Sequence, residues 1–290
     1  MMGPHSPLRQ LARNTLWTMR WPARRVTAAV RALPQFLVIG SQRAGTSSLH
    51  YWLAQHPLLQ PAAIKEVHYF DGGLPGKRVV WPCGTDWYAA HFPIRARLPI
   101  GTKCFESSPL YLFHPEAAAR VASTLPEAKL VVLLRDPTQR AISHYFHEKA
   151  KGRETLGLAA ALDAEQDRLA PCWQQANYNT AAFVQKSYMA RGEYAVQLER
   201  WLRYFPRSSL LLLNSEDLFS EPRRTLSSVF AFLGVEDVSA DVVTTRHNRG
   251  ISAQEADSCL RKRLDEHFAS HNERLVELLG NGFNGGGHPW

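Results

Sequence analysis

Hydrophobic and polar positions along the chain alternate between short apolar runs and stretches of helical periodicity. Phe36, Leu37, Val38 and Ile39 form a β-branched and aromatic run, small polar residues follow, and Leu49, Trp52 and Leu53 then recur at i, i+3, i+4. This order predicts strand, loop, helix. The helix should stop near Gln55, because Pro57 disfavours helix at His56. A second strand is predicted from Thr102 to Glu106 and a helix over 115–124. Lys129-Leu130-Val131-Val132-Leu133-Leu134 is then a continuous apolar run of the kind buried on both faces. Asp136 as N-cap and Pro137 at the first helical position open the next helix. Tyr194, Leu198, Trp201, Leu202 and Phe205 fit one helix face, as do Leu226, Val229, Phe230 and Leu233, and residues 209–214 between them read as another buried strand. The β-α-β series predicts an α/β protein, a P-loop-like three-layer fold with a central parallel sheet flanked by helices and right-handed crossovers.

Length and composition set the domain plan. At 290 residues, one domain over 35–280 is expected, with a flexible basic extension over 1–34 and a Gly-rich tail over 281–290. The formal charge is +8, yet Arg9, Arg13, Arg20, Arg24, Arg25 and Arg31 lie in the extension, which has no lysine or carboxylate. Without those six the balance is 28 basic against 26 acidic residues, so the basicity does not describe the folded body. The extension reads as a solvated tail, a membrane-surface or polyanion contact, or part of a targeting sequence. Apolar runs such as 210–213 are too short to span a bilayer. Cys83, Cys104, Cys172 and Cys259 form no C-x-x-C pair, so no metal or redox spacing is present, and reduced thiols in a cytoplasmic protein are the simplest account.

Three stretches carry candidate chemistry. Gly40-Ser41-Gln42-Arg43-Ala44-Gly45-Thr46-Ser47-Ser48 lies between the first strand and its helix, where glycines let backbone N–H groups and the positive helix end converge on an anion. The Gly40 to Gly45 spacing fits the start of the nucleotide-binding P-loop, but Thr46 stands where that pattern needs lysine, while Arg43 supplies a positive charge inside the loop. A turn that only packs would have the same composition. In Lys65-Glu66-Val67-His68-Tyr69-Phe70-Asp71, period-two alternation predicts an extended segment with Glu66 and His68 on one face, either an acid-base pair or an edge strand with solvated charges. Arg135 follows the third strand, at the carboxyl edge where parallel sheets bind ligands, and Ser143 is two helical turns on; the pair suits a second anion or an ordinary surface ion pair. The loop with Arg246, His247, Asn248, Arg249 and Gly250 reads as a lid or a solvated segment.

Taken with Glu106-Ser107-Ser108-Pro109 and Arg135-Asp136-Pro137 through Arg140-Ala141-Ile142-Ser143, these words resemble the PAPS-dependent sulfotransferases over about 36–280, most closely the heparan sulfate and carbohydrate branch with its bacterial relatives. The resemblance implies 3′-phosphoadenosine 5′-phosphosulfate (PAPS) as donor, with no metal. Arg43, Ala44, Gly45, Thr46, Ser47 and Ser48 would surround its 5′ end, Arg135 and Ser143 would take its 3′-phosphate, and Arg249 would contribute from the basic loop. Glu66 falls on the family's catalytic base and His68 and Asp71 on its supporting residues; Lys65, Asp71 and Ser107 would face a carbohydrate or small-molecule acceptor. Arg43 replaces a common lysine and cannot donate its proton to a leaving oxygen. Ser107 replaces the lysine of the usual Glu-Lys-Ser-Pro word. Sulfuryl transfer is governed by positioning and electrostatics, and a carboxylate such as Glu66 can accept the acceptor's proton. An atypical P-loop kinase or NTPase, and a polyanion- or membrane-binding protein acting through its N-terminus, are the competing readings. No nucleic-acid partner is expected, and oligomeric state is not readable.

Overall fold

A computed structural model describes residues 21–247 and 257–280. Its centre is a five-stranded sheet, all parallel: β1 (Phe36–Gly40), β2 (Leu59–Pro61), β3 (Lys103–Ser107), β4 (Lys129–Leu134) and β5 (Leu210–Asn214), in the order β2-β3-β1-β4-β5. β1 is buried at all five positions, as a central strand covered on both faces must be. Strand alternation divides its side chains. Phe36 and Val38 pack with Val131, Leu133, Leu211 and Leu213 on one face, while Leu37 and Ile39 pack with Leu130, Val132, Leu134, Leu210 and Leu212 on the other.

Helices cover both faces and complete the three layers. On the first face lie α1 (Thr46–Leu53), through Leu49, Trp52 and Leu53, and the helix Pro222–Leu233, through Leu226, Val229, Phe230 and Leu233. On the second lie Ala117–Thr124, Tyr194–Leu202 and the C-terminal Ser258–Leu279. Asp136 caps the helix Pro137–Ala150 by accepting from the Gln139 N–H, as its sequence predicts. From β1 the chain moves outward to β2 and β3, then returns to the opposite side of β1 for β4 and β5. The switch in direction beside β1 and β4 is where open parallel sheets place a ligand crevice.

The structure departs from the sequence reading in three places. β2 is a strand of three residues, too short to show a period. Residues 65–71 are not extended: Glu66 and His68 have φ of 61° and 55°, left-handed values that an alternating strand excludes. The basic extension is not detached along its described part. Residues 21–26 are helical, Arg24 donates to the Ala90 and Phe92 carbonyls at 2.6 and 2.9 Å, Arg31 donates to Phe92 O at 2.6 Å, and Ala28 and Ala32 are buried. Among the described residues, no helix is long and apolar enough to cross a membrane.

Candidate active site

The carboxyl ends of β3, β1 and β4 are adjacent, and the loops after β1 and β4 meet there with the 65–71 turn, which follows β2 and docks on the end of β3. After β1 the chain turns under close constraint. A Cβ at Gly40 would lie 2.6 Å from the Leu112 Cβ. Gly45 has φ 98°, and a Cβ there would meet Leu218 Cδ2 at 2.8 Å and Phe219 Cζ at 2.9 Å. Only glycine accommodates both that backbone and that contact. Thr46 then opens α1, whose first-turn N–H groups lack intrahelical acceptors and point to the loop's mouth. Ala44 is fully buried, Thr46 is buried, and Ser48 Oγ accepts from His247 N at 2.9 Å, which ties the basic loop to the start of α1. Arg249 lies outside the described residues.

Arg43 and Arg135 converge at this mouth. Arg43 Nε donates to Ser143 Oγ at 3.2 Å and its Nη1 to His147 Nδ1 at 3.3 Å, while Arg135 Nη1 donates to Arg43 O at 3.1 Å. Ser143 and Arg135 therefore meet through Arg43. Burial, and for Arg43 then the neighbouring Arg135 charge, lower both guanidinium pKa values. Neither arginine makes an ion pair among the described residues. The same field, after burial itself, pushes His147 down to about 4, so it faces Arg43 as a neutral acceptor. A half-buried positive pair without a carboxylate partner among the described residues has the charge and donors to suit an anion.

The 65–71 segment follows β2 in the chain and docks on the end of β3. Glu66 N donates to Ser107 O at 3.1 Å, which starts the 65–71 turn at the strand's end. His68 Nε2 lies 3.5 Å from Glu66 Oε2, and its Nδ1 lies 2.6 Å from Asp71 Oδ2. Glu66 also pairs with Lys65. Burial works against the charged forms, but Asp71 and Glu66 outweigh it at His68, which rises to about 10. At Glu66, burial is likewise outweighed, by the His68 bond and the Lys65 and His68 charges, and the pKa falls to about 2. The four side chains alternate in charge: Lys65, Glu66, His68, Asp71. Glu66 is the most accessible acid of the group, with its side chain 39% exposed against none for Asp71.

Two expected acceptor contacts lie elsewhere. Ser107 is fully buried and shares a 2.9 Å hydrogen bond with His50 Nδ1, beneath the site and away from any ligand surface. Asp71 sits behind His68, and its other oxygen accepts from Gly73 N at 3.1 Å, so it orients the imidazole. Two residues that the sequence reading did not name, His147 and Arg191, support the site, as do Glu106 of the Glu106-Ser107-Ser108-Pro109 word and Tyr111. His147 is one turn beyond Ser143, a helical spacing that could have revealed it. Arg191, buried and held down to about 9 by burial and Arg140, donates to Gln42 of the loop. Glu106 and Tyr111 lie beneath the 65–71 turn: Tyr111 Oη donates to Glu106 at 3.0 Å and accepts from Tyr69 N at 2.9 Å.

The chain matches the sulfotransferase domain family over residues 33–272. It is 34% identical over 273 residues to the bifunctional heparan sulfate N-deacetylase/N-sulfotransferase 4 of Mus musculus and to the corresponding enzyme 3 of Homo sapiens, covering 85% of this chain and 30% of each relative. It thus spans under a third of those proteins. A sulfotransferase from Alicyclobacillus acidocaldarius is similar in structure, with a TM-score of 0.69 and 29% identity over 86% of this chain and 96% of that one.

Proposed function

Because the chain belongs to the sulfotransferase family, we propose that it moves a sulfuryl group from PAPS to a hydroxyl of a carbohydrate or small-molecule acceptor. The observation that carries this reading is the row of segments at the edge of β3, β1 and β4: a carboxylate, an anion cradle and a second, half-buried arginine. Arg43 and the first-turn N–H groups of α1 suit the donor's 5′ end, and Arg135 with Ser143 suits its 3′-phosphate. Arg43 stabilises negative charge on the leaving oxygen by field alone, since a guanidinium keeps its proton. Glu66 takes the acceptor's proton, and His68, charged and anchored by Asp71, holds that carboxylate in place. The bound donor supplies the sulfuryl group; the protein supplies alignment and charge.

A second reading, transfer to an amine, is favoured by similarity to enzymes named as N-sulfotransferases over 85% of this chain. An acceptor panel of glycans bearing free hydroxyls, glycans bearing free amines, and phenols, incubated with labelled donor, separates the two. Transfer to none of them, with no binding of 3′,5′-ADP, would sink both. Glu66→Gln should lower turnover by about 100-fold or more with 3′,5′-ADP affinity nearly unchanged. Arg135→Ala with Ser143→Ala should instead weaken 3′,5′-ADP binding by at least about tenfold, the loss expected for a charged hydrogen-bonding partner. Magnesium-dependent ATP turnover would favour the kinase reading.

A further inference from the structure

In the second helical layer, the C-terminal helix carries His267 and His271, one helical turn apart on one face. Their rings are 5.3 Å apart by centroid. Both turn Nε2 toward a single oxygen of Glu193, at 3.6 and 3.9 Å to Oε1, and the three ligand atoms all fall within 4.8 Å of one another. We propose that Glu193, His267 and His271 form a binding site for a divalent transition-metal ion of the zinc class, outside the sulfuryl-transfer site and independent of that reading.

The distances are wider than closed hydrogen bonds and leave room for an ion between these groups. Charge-assisted N–H···O bonds close to about 2.7–2.9 Å, and both contacts are well beyond that. Ligands on tetrahedral zinc at about 2.1 Å stand about 3.4 Å apart, close to the two Glu193–histidine separations of 3.6 and 3.9 Å. Two imidazole nitrogens and a carboxylate oxygen are a recurring zinc donor set that leaves the fourth position to water. All three side chains are partly exposed, at 29% for Glu193, 35% for His267 and 27% for His271, so an ion has an entry path.

The site is also held in place by its supports. Gly192 packs so tightly on the C-terminal helix that a Cβ there would lie 2.7 Å from the Phe268 ring, which sets Glu193 opposite His267. Further along the same two helices Arg274 grips Glu199 through two bonds of 2.9 and 2.6 Å. Thr138 Oγ1 donates to Asp265 at 2.6 Å on the other side. An ion here would pin the C-terminal helix to the 190–193 turn, one residue from Tyr194, whose hydroxyl donates to the Arg135 carbonyl at 2.9 Å.

The test uses the full chain, dialysed against chelator and titrated with Co²⁺ and then Zn²⁺. The expected result is one equivalent of Co²⁺ with the visible absorption of a four-coordinate, nitrogen- and oxygen-ligated ion, displaced by Zn²⁺, and a rise in Tm with zinc. His267→Gln with His271→Gln should abolish that spectrum and the zinc-dependent rise in Tm, while leaving the metal-free Tm near that of the parent. Glu193→Gln, which keeps both imidazoles, should weaken Zn²⁺ binding about tenfold or more and provides the check should the double variant fold poorly. Absent Co²⁺ absorption, or a spectrum and Tm rise that survive in Glu193→Gln and in the double variant alike, would overturn the proposal by assigning any metal to other histidines or to none.

Discussion

Glu66 is ionised long before neutral pH, and the reason lies in two cations on either side of it. Burial alone would raise its pKa, yet the His68 bond and the Lys65 and His68 charges hold it at about 2, while Asp71 keeps His68 protonated up to about 10. In the proposed base role such a carboxylate is weak but always in the correct form, so its contribution would rest on placement more than on proton affinity. The acid limb of kcat/KM should therefore be absent above about pH 4. His68→Gln removes the main cation facing Glu66, so its pKa climbs toward the ordinary 4.5, and an acid limb should emerge at about pH 4–5 alongside a fall in kcat. A pH-rate profile of the variant that matches the parent would show that His68 does not hold Glu66. The same coupling enters stability. A histidine raised from 6.5 to about 10 contributes stability that is complete below pH 6.5 and lost as pH rises through 10. Asp71→Asn should flatten that decline in denaturant titrations across the alkaline range.

At the scale of elements, the turn over 65–71 depends on a buried polar cluster underneath it. Glu106, fully buried and raised to about 7 by burial against its hydrogen bonds, accepts from Tyr88 Oη at 2.8 Å, Tyr111 Oη at 3.0 Å and Ser108 Oγ at 3.1 Å. Tyr111 Oη in turn accepts from Tyr69 N at 2.9 Å, and so fixes the backbone one residue after His68. Tyr111→Phe keeps the ring but leaves that N–H without its partner and removes one of the two hydroxyls that donate to Glu106 Oε1, at a cost of about 1–3 kcal/mol. Turnover should fall while 3′,5′-ADP affinity stays, because the cradle after β1 makes no use of this hydroxyl; equal losses in both would place Tyr111 in general packing. This cluster also shows where the sequence was and was not legible. The strands β1, β4 and β5 could be read because each carries a run of at least four apolar residues, and the Asp136-Pro137 helix start because capping is local chemistry. Alternation at Lys65 to Asp71 correctly paired Glu66 with His68 and buried Val67 and Tyr69, but for the wrong reason. Left-handed φ values at both ionisable residues bring them together, and those values are imposed by contacts from Ser107, Ser108 and Tyr111, which lie far along the chain. Ser107 looked accessible in its motif because no local pattern reports that His50 closes over it. The His267 and His271 spacing is visible in the sequence, yet Glu193, which faces both, lies on a turn some seventy residues earlier.

For the whole molecule, the arginine-rich N-terminal segment is partly structural, and this changes what its charge can do. Arg24 spans the Ala90 and Phe92 carbonyls, Arg31 reaches Phe92 as well, and Ala32 N donates to Pro93 O at 2.9 Å, so the segment fastens the turn after residues 84–89 to the sheet. Ala90 and Phe92 are fully buried, and Ala32 belongs to the same apolar cluster as Leu37 and Phe92. At about 1 kcal/mol for each net hydrogen bond, the pair Arg24→Ala and Arg31→Ala removes roughly 3 kcal/mol, which for a domain of this size lowers Tm by about 6–12 °C. Neither arginine faces the Arg43 and Arg135 cradle, so 3′,5′-ADP affinity measured well below the lowered Tm should be unchanged. An arm that served only to bind polyanions would behave in the opposite way. Its neutralised variant would keep the parent Tm and lose retention on anionic vesicles. Thermal unfolding and vesicle co-sedimentation of the same protein preparation therefore separate the two roles, and an unaltered Tm would show that these bonds do not fasten the segment to the domain.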